Sequence, residues 1–204
     1  PLPKDDEKVL KFKRKYQLEN KFVIMYSGNI GLYYDLLNIV KVIERFQGKP
    51  EVIFAFIGEG SVLDELKDYC KKKQISNITF IPYQDKSKLV YSLNAGDVHF
   101  VVNAKGIKGV SVPSKLYGVM AAGKPVLGIL EEGAEARLIV EEAGCGISVD
   151  PGDYKAIGHL IERFTAMQGT AELEEMGAKG RDYLIDHLTK DVSIKKYRDE
   201  ILSC

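Results

Sequence analysis

Short runs of apolar residues alternate along most of the chain with segments whose apolar residues recur at helical spacing. Six such runs predict strands: residues 22–26, 52–57, 78–81, 98–102, 125–130 and 147–149. These runs lack the polar alternation of half-exposed strands, which indicates that both faces of each strand are buried. Buried strands that alternate with helices are typical of a parallel sheet covered on both faces.

The pattern therefore predicts an α/β fold: a doubly wound, parallel six-stranded sheet of Rossmann-like type. Two further helices, over residues 171–187 and 191–202, follow the last strand with no strand between them. Ligands of such sheets bind just beyond the carboxyl ends of the strands. The residues that follow each strand are therefore the first candidates for a site.

Composition narrows the class of protein. The chain has 204 residues, 45% of them hydrophobic, and its 29 basic residues balance 29 acidic ones, so no nucleic-acid partner is indicated. No apolar run approaches the roughly 18 residues of a membrane-spanning helix, and no signal peptide is visible. Three widely spaced cysteines form no disulfide or zinc pattern and suit a reducing cytoplasm. The chain begins at Pro1 without an initiator Met, so we expect a fragment of a longer protein.

The strongest candidate site lies in residues 106–125, between the fourth and fifth predicted strands. Ser114 is predicted to cap a short helix, which would leave the amides of Lys115, Leu116 and Tyr117 free. Free amides at a helix start favour a phosphate, and the Lys115 ammonium adds a positive charge. A capped helix with a solvated lysine is the alternative interpretation.

Other candidates are weaker. The glycines of residues 27–31 would let a ligand approach the backbone, but the full G-x-G-x-x-G fingerprint is absent and a plain turn is the alternative. Glu131, Glu132 and Glu135 could accept bonds from ribose hydroxyls or simply favour a helix start. The three histidines have no metal-ligand spacing, and no metal site is predicted.

Six segments occur in an order that resembles a known family: YSGNIG, FIGEG, NITFIPY, AGDV, VPSKLYGVMAAGKPVLG and EEAGCGISVDPGD. Together they resemble the C-terminal, donor-binding domain of retaining GT-B glycosyltransferases of the family 4, or group 1, type. The likeness is closest to bacterial members that build surface polysaccharides, and it extends from about Phe22 to the C-terminus. It implies the C-terminal half of a GT-B fold, with an acceptor domain that precedes Pro1.

The resemblance also implies a division of the chain and a set of roles. Residues 1–20 would be a linker or N-terminal arm, residues 21–187 the nucleotide-sugar-binding domain, and residues 188–204 a helix returning toward the acceptor domain. The donor diphosphate would contact Gly28, Asn29, Ser114, Lys115, Leu116 and Tyr117. The nucleoside would contact Pro82, Tyr83 and Glu135.

Two departures from the family pattern stand out. Many relatives carry two glutamates eight residues apart, and the matching positions here are Val110 and Gly118. Glu135 is therefore a proposed substitute for the ribose contact and matches no motif. Many relatives also carry an Arg and a Lys after the first strand, where this chain has Asn29 and Leu32. Lys115 would then carry more of the charge that faces the diphosphate.

The implied reaction is transfer of a sugar, with retention, from a nucleoside diphosphate sugar to an acceptor hydroxyl in polysaccharide or glycoconjugate biosynthesis. No cofactor is expected besides that substrate. The expected partners are the nucleoside diphosphate sugar and the acceptor domain. The expected location is the cytoplasm, with peripheral contact of the missing half to the inner face of the membrane left open. Two alternatives remain: a sugar-nucleotide epimerase of GT-B architecture and a non-catalytic nucleotide-binding module.

Overall fold

The computed structural model describes residues 6–110 and 112–202 and contains one six-stranded parallel sheet. Its strand order is β3-β2-β1-β4-β5-β6. The strands are β1 Phe22–Ser27, β2 Val52–Ile57, β3 Ile78–Ile81, β4 Val98–Val102, β5 Val126–Ile129 and β6 Gly146–Val149. The predicted doubly wound, Rossmann-like sheet is confirmed, and each strand lies within about one residue of its predicted bounds.

Helices cover both faces of the sheet. They are α1 Asp6–Lys15, α2 Leu36–Ile43, α3 Leu63–Lys73, α4 Leu89–Asn94, α5 Lys115–Ala121, α6 Glu135–Ala143, α7 Tyr154–Ala166, α8 Ala171–His187 and α9 Lys190–Leu202. Short 3₁₀ turns occupy Leu32–Tyr34, Glu44–Phe46 and Lys86–Lys88. Helix α7 begins after Asp153, whose carboxylate accepts a hydrogen bond from the Ala156 amide at 2.9 Å.

Alternate residues of β1 feed two different cores. Ile24 and Tyr26 join a large cluster that also contains Phe54 of β2 and residues of α2, α3 and α7. Val23 and Met25 face the other way and pack beneath α1 and α4. Burial on both faces explains why the strand reads as a continuous apolar run.

Helix α1 packs on the sheet rather than projecting from it. Val9 and Phe12 are buried in the cluster that contains Val23 and Met25 of β1. The division of the chain near residue 20 stays a prediction. The same holds for the return of the last helix toward an acceptor domain, although Ile194, Ile201 and Leu202 of α9 are exposed.

The strand order places the site. Strands β1 and β4 are neighbours, with Ile24 opposite Val98 and Met25 opposite His99. After β1 the chain crosses to one face of the sheet, and after β4 it crosses to the other face. The two connections therefore diverge and leave a crevice beyond the carboxyl ends of β1 and β4. Such a switch point is where open parallel sheets bind ligands.

The glycine turn after β1, which lines this crevice, packs against the glycine turn after β2. The Gly28 amide donates to the Ile57 carbonyl at 2.9 Å, and the Ile30 amide donates to the Glu59 carbonyl at 2.8 Å. Gly58 has φ of +143°, and a Cβ there would lie 1.9 Å from the Gly28 carbonyl oxygen. Glycine is therefore required at position 58 because the neighbouring backbone occupies the space of a side chain.

Candidate functional site

A cavity of about 400 Å³ opens at the carboxyl edge of the sheet, between β1 and β4. Its walls come from the turn after β1, the ends of β2 and β4, the segment after β3, and helices α4 and α5. Both polar and apolar residues line it. The lining residues that matter below are Gly28, Asn29, Tyr34, Tyr83, Gln84, His99, Ser114, Lys115 and Gly118.

Lys115, the first residue of α5, is the central charged group of the cavity. Its Nζ donates a hydrogen bond to the Tyr26 hydroxyl at 2.8 Å. The same Nζ lies 4.0 Å from the centre of the Tyr26 ring and 4.2 Å from that of Tyr34. The Tyr26 hydroxyl in turn donates to the Asn29 carbonyl at 2.6 Å, which ties the lysine to the turn after β1.

The charge of Lys115 is held by aromatic rings and a hydroxyl instead of a carboxylate. Within the described residues no acidic side chain lies within 4.0 Å of its ammonium. Burial lowers the pKa of Lys115 from its usual 10.5 to about 7. Burial also raises the pKa of Tyr26, so that hydroxyl stays neutral. A cation without a counter-ion at a cavity mouth is well suited to an anionic ligand.

The structure brings five of the nine predicted site residues to this cavity: Gly28, Asn29, Tyr83, Ser114 and Lys115. A Cβ built on Gly28 would lie 3.5 Å from the Lys115 Nζ, so the ammonium sits over the bare backbone of the turn. These residues come from three different loops. The predicted parallel sheet accounts for their convergence, since all three loops follow carboxyl ends of strands.

The other four predicted residues lie elsewhere. The Leu116 side chain is fully buried in the core between α5 and α6. Tyr117 and Pro82 are exposed outside the cavity wall, and the Pro82 carbonyl accepts a hydrogen bond from the Gln84 side chain at 2.6 Å. Glu135 is exposed at the start of α6, where its charge acts on Tyr183 of α8.

The predicted helix cap is wrong. Ser114 has helical backbone angles, φ −56° and ψ −22°, and its side chain accepts no capping hydrogen bond. The Leu116 amide is not free either, because it donates to the Pro113 carbonyl at 3.0 Å. A tight first turn after Pro113 therefore takes up a donor that the sequence pattern left open for a phosphate. The Lys115 ammonium is therefore the main group at this edge that could attract an anion.

The two positions that carry glutamate in many relatives differ in their surroundings. Gly118 lines the cavity, and a Cβ there would meet only Leu93 at 3.5 Å, an ordinary contact. Val110 is 77% exposed on the loop after β4. The cavity is thus wider at Gly118 than a glutamate would leave it, and none of the described residues that line it is acidic.

His99 lines the cavity as a buried side chain of β4. It is almost fully buried in β4, and one ring nitrogen lies 2.9 Å from the Leu93 carbonyl oxygen. Burial, together with the positive charge of Lys124, lowers the pKa of His99 to about 3. The imidazole is therefore neutral at physiological pH and serves as a wall of the cavity.

Glu131 has a role that the sequence did not reveal. Its Oε2 accepts hydrogen bonds from three consecutive amides, those of Gly106 at 2.9 Å, Ile107 at 3.1 Å and Lys108 at 3.0 Å. These bonds hold the pKa of Glu131 below its usual value. The carboxylate thus anchors the loop after β4, which lies beside the cavity. The contact joins residues 23 to 25 positions apart, so no local pattern predicts it.

Replacing Glu131 by alanine should loosen this loop. We expect amide exchange at residues 106–108 to accelerate by roughly tenfold or more, because three amides lose a charge-assisted acceptor. Hydrogen–deuterium exchange with mass spectrometry measures this directly. Glu132→Ala is the matched control, since Glu132 takes part here through its backbone. Equal exchange in the two variants would contradict the anchoring role.

Metal binding finds no support in the described part of the chain. Among residues 6–110 and 112–202, no three His, Cys, Asp or Glu side chains converge on a common point. Across the same residues, none of the helices combines the length and apolarity needed to cross a bilayer.

A family model, "Glycosyl transferases group 1", matches residues 8–183 of the chain. The match covers most of the sequence and includes every residue that lines the cavity. The chain belongs to the group 1 family of glycosyl transferases. The predicted family is thereby confirmed.

Two curated relatives are named as glycosyltransferases, and the name of one of them refers to colanic acid biosynthesis. The chain is 29% identical over 197 residues to "Probable glycosyltransferase WbjE" of Pseudomonas aeruginosa. This match covers 97% of the chain and 47% of that protein. The chain is 27% identical over 184 residues to "Putative colanic acid biosynthesis glycosyl transferase WcaI" of Escherichia coli (strain K12). This match covers 90% of the chain and 44% of that protein. The family member spans about half the length of these curated relatives.

Solved structures agree with the fold. The Anabaena Alr3699/HepE structure in complex with UDP and glucose superimposes with a TM-score of 0.78 at 16% identity. The superposition covers 98% of this chain and 53% of the Anabaena chain. The prediction that the chain forms half of a GT-B fold is thereby confirmed.

Proposed function

We propose that this chain is the donor-binding half of a glycosyltransferase that transfers a sugar from a nucleoside diphosphate sugar to an acceptor hydroxyl. The observation that carries the proposal is the Lys115 ammonium, which faces the switch-point cavity without a carboxylate partner. Family membership supports the reaction class, and the Anabaena structure with UDP and glucose supports the ligand class.

The donor diphosphate is placed against Lys115 and the turn at Gly28 and Asn29. The ammonium donates to a phosphate oxygen, and the absence of a side chain at Gly28 lets the phosphate reach the backbone. Ser114 contributes its hydroxyl, which makes no capping bond. The nucleoside extends toward Tyr83 and Gln84 on the other side of the cavity. Leu116, Tyr117, Pro82 and Glu135 have no place in this arrangement.

The chemical contribution of this half is stabilisation of the leaving group. In the transfer, the bond from the sugar anomeric carbon to the diphosphate oxygen breaks, and a bond from that carbon to the acceptor oxygen forms. The proton of the acceptor hydroxyl passes to the departing diphosphate. Negative charge develops on the departing diphosphate, and the fixed Lys115 ammonium stabilises it. Retention of anomeric configuration follows from the family resemblance and is part of the proposal.

The remaining half of the protein would supply the acceptor site. The chain spans about half of its curated relatives, one of which is named for colanic acid biosynthesis. We therefore place the reaction in surface polysaccharide or glycoconjugate synthesis. The proposed location is the cytoplasm, which suits Cys70 and Cys145, both free and buried.

Calorimetric titration with UDP, GDP and ADP tests the proposal. We expect the chain to bind at least one of them, with weak affinity because half of the cleft is absent. A longer protein that includes the preceding half should also release that nucleoside diphosphate during transfer to an acceptor. Failure of the longer protein to bind any of the three nucleotides at millimolar concentration would overturn the proposal.

Nucleotide affinity should depend on pH through Lys115. Its pKa near 7 in the free protein would rise when a diphosphate supplies negative charge, so binding takes up a proton above pH 7. We expect affinity to fall as pH rises above about 7, approaching tenfold per pH unit. Titrations of UDP between pH 6 and 9 measure this. Lys115→Arg, whose side chain stays charged, should bind with a flatter pH profile.

The same pKa shift has an opposite consequence for stability. The unfolded chain keeps Lys115 protonated up to its usual pKa near 10.5, whereas the folded chain releases the proton near pH 7. Since the unfolded state binds more protons in this window, the Lys115 contribution to the free energy of unfolding increases from pH 7 to pH 10. Affinity and this part of stability therefore change in opposite directions with pH.

A further inference from the structure

Tyr34 reaches the cavity between β1 and β4 from a short 3₁₀ turn, Leu32–Tyr34, that precedes helix α2. The centre of its ring lies 4.2 Å from the Lys115 Nζ and 6.2 Å from the centre of the Tyr26 ring. An aromatic ring in this position attracts the ammonium and limits where it can point. Whatever holds the turn in place therefore also helps to orient the charged group of the cavity.

Asp35 joins the turn to α2 through an uncommon backbone conformation. Its φ of 48° and ψ of 34° lie in the left-handed region, which few residues with a side chain adopt. Aspartate tolerates this region better than most residues, because its short polar side chain can form local hydrogen bonds. The left-handed residue ends the turn before α2 begins, so the orientation of Tyr34 depends on how Asp35 is held.

The Asp35 carboxylate is held from two sides. The Tyr154 hydroxyl donates to its Oδ2 at 2.7 Å, and the Asn38 side-chain amide donates to its Oδ1 at 2.7 Å. Tyr154 is the first residue of α7 and lies 119 positions further along the chain. The hydrogen bond to Asp35 raises the pKa of the Tyr154 hydroxyl, which therefore stays a donor at physiological pH. We call the hydrogen-bonded pair of Asp35 and Tyr154 the clasp.

The clasp acts on the cavity from outside it. Asp35 and Tyr154 are half-buried, and neither lines the cavity. The turn beside the clasp also contacts the loop after β4, because the Ala104 amide donates to the Tyr33 carbonyl at 2.9 Å. The clasp can be removed by mutation without altering a residue of the cavity wall, so its effect on the cavity can be measured separately.

We propose that the clasp is a positioning pair, which holds the Tyr34 ring against the Lys115 ammonium and so orients that ammonium for an anionic ligand. The inference deepens the proposed function and rests on it, since the ligand is the diphosphate of the donor. An ammonium that is already oriented loses less freedom when the ligand binds. The clasp therefore contributes to affinity without contacting the ligand.

Tyr154→Phe removes only the hydroxyl and is the direct test. The variant keeps the ring that packs against the large core, the charge of Asp35 and every residue of the cavity wall. In NMR spectra of the free chain with isotope-labelled lysine, ring currents should shift the Lys115 side-chain signal upfield, and Lys115→Met identifies that signal by its loss. The upfield shift should decrease in Tyr154→Phe as Tyr34 moves away. Calorimetric affinity for UDP should fall by roughly three- to fivefold.

Tyr69→Phe is the matched control. The Tyr69 hydroxyl of α3 donates to the Glu44 carboxylate at 2.7 Å, just beyond the other end of α2. The variant loses the same kind of hydrogen bond away from the cavity, so the Lys115 signal and the UDP affinity should not change. Asp35→Asn keeps an oxygen acceptor for Tyr154 and tolerates the left-handed backbone, so it should retain most of the affinity. Thermal melts establish that the three variants fold.

Three outcomes would overturn the role of the clasp alone. These are a parental Lys115 signal in Tyr154→Phe, a changed signal with parental UDP affinity, and equal losses of affinity in the Tyr154 and Tyr69 variants. Because the signal is read without nucleotide, failure of the proposed function is distinguishable from these outcomes. In that case a longer protein that includes the preceding half would bind no nucleoside diphosphate, with or without the clasp, and both proposals would be overturned.

Discussion

Replacing Lys115 by methionine should weaken binding of a nucleoside diphosphate by about 10- to 100-fold. The side chain supplies the cavity with an ammonium held at 2.8 Å from the Tyr26 hydroxyl, and the residues of the described chain that line the cavity include no acidic one. A hydrogen bond to a charged group contributes about 1.5–3 kcal/mol, which corresponds to this range of affinity. Methionine keeps much of the apolar stem between the two tyrosine rings and removes the charge. Calorimetric titration with UDP at pH 6.5 measures the loss.

Lys105→Met is the matched control for this substitution. Lys105 lies on the loop after β4, at the same edge of the sheet, but it is exposed and does not line the cavity. The Lys105→Met variant should bind UDP with unchanged affinity. A thermal melt should show that Lys115→Met folds, since the variant removes a partly buried charge rather than a packing group. Equal affinities of the Lys115 and Lys105 variants would contradict the assignment of the diphosphate site.

The sheet was predictable because its determinants are local. The apolar runs of β1 and β2 are bounded by glycine turns, and their continuous burial requires helices on both faces. The right-handed crossovers of parallel strands then restrict the possible strand orders. The edge of the sheet that holds the site follows from the same reasoning, as the positions of Gly28 and Lys115 show.

The chemistry of the site depended on contacts between distant segments. Tyr26 reads as one more apolar strand residue, yet its hydroxyl contacts Lys115, 89 positions away. Tyr34 reads as the start of a helix, yet its ring lies beside the same ammonium. A sequence pattern indicates that a lysine follows a strand, but it does not indicate what surrounds its charge. The low pKa of Lys115 was therefore outside the reach of the sequence.

The error at Ser114 has a physical cause. A serine before a helix normally accepts a hydrogen bond from an amide one turn on, and it does so from an extended backbone. Here the backbone at Ser114 is already helical, and the Pro113 carbonyl accepts from the Leu116 amide. The first turn is therefore closed by backbone, and Ser114 lines the cavity. The residue belongs to the site for a different reason from the one that the pattern indicated.

The two positions that carry glutamate in many relatives, 118 and 110, have different surroundings in the structure. Gly118 lies on the cavity wall, whereas Val110 is exposed on the loop that Glu131 anchors. Glu135 does not line the cavity, and its charge acts on Tyr183 of α8, so its role as a substitute stays a prediction. A donor bound here would lack the carboxylate contacts of many relatives, so Lys115 would supply most of the charged recognition. This is why the Lys115 substitution has the largest expected effect on binding.

Replacing Gly58 by alanine should destabilise the fold by roughly 3–5 kcal/mol. The new Cβ would lie 1.9 Å from the Gly28 carbonyl oxygen, and a φ of +143° is strained for any residue with a side chain. Backbone strain and overpacking each cost about 1–3 kcal/mol. The atoms close to the new Cβ all belong to the Gly28 backbone, so no flexible side chain can move to relieve the clash. Urea denaturation followed by circular dichroism measures the free energy of unfolding. Nucleotide affinity should fall as well, because relief of the clash displaces the Gly28 turn.

Gly48→Ala is the control that separates this clash from the general effect of removing a glycine. No heavy atom lies within 4 Å of a Cβ at position 48, and its φ is not positive. That variant should differ from the parent chain by less than about 1 kcal/mol, and a small gain is expected because alanine restricts the unfolded chain. A free energy of unfolding for Gly58→Ala within 1 kcal/mol of the Gly48 variant would show that the two turns do not constrain each other. In that case the wall of the cavity between β1 and β4 would not depend on the close approach of the two turns.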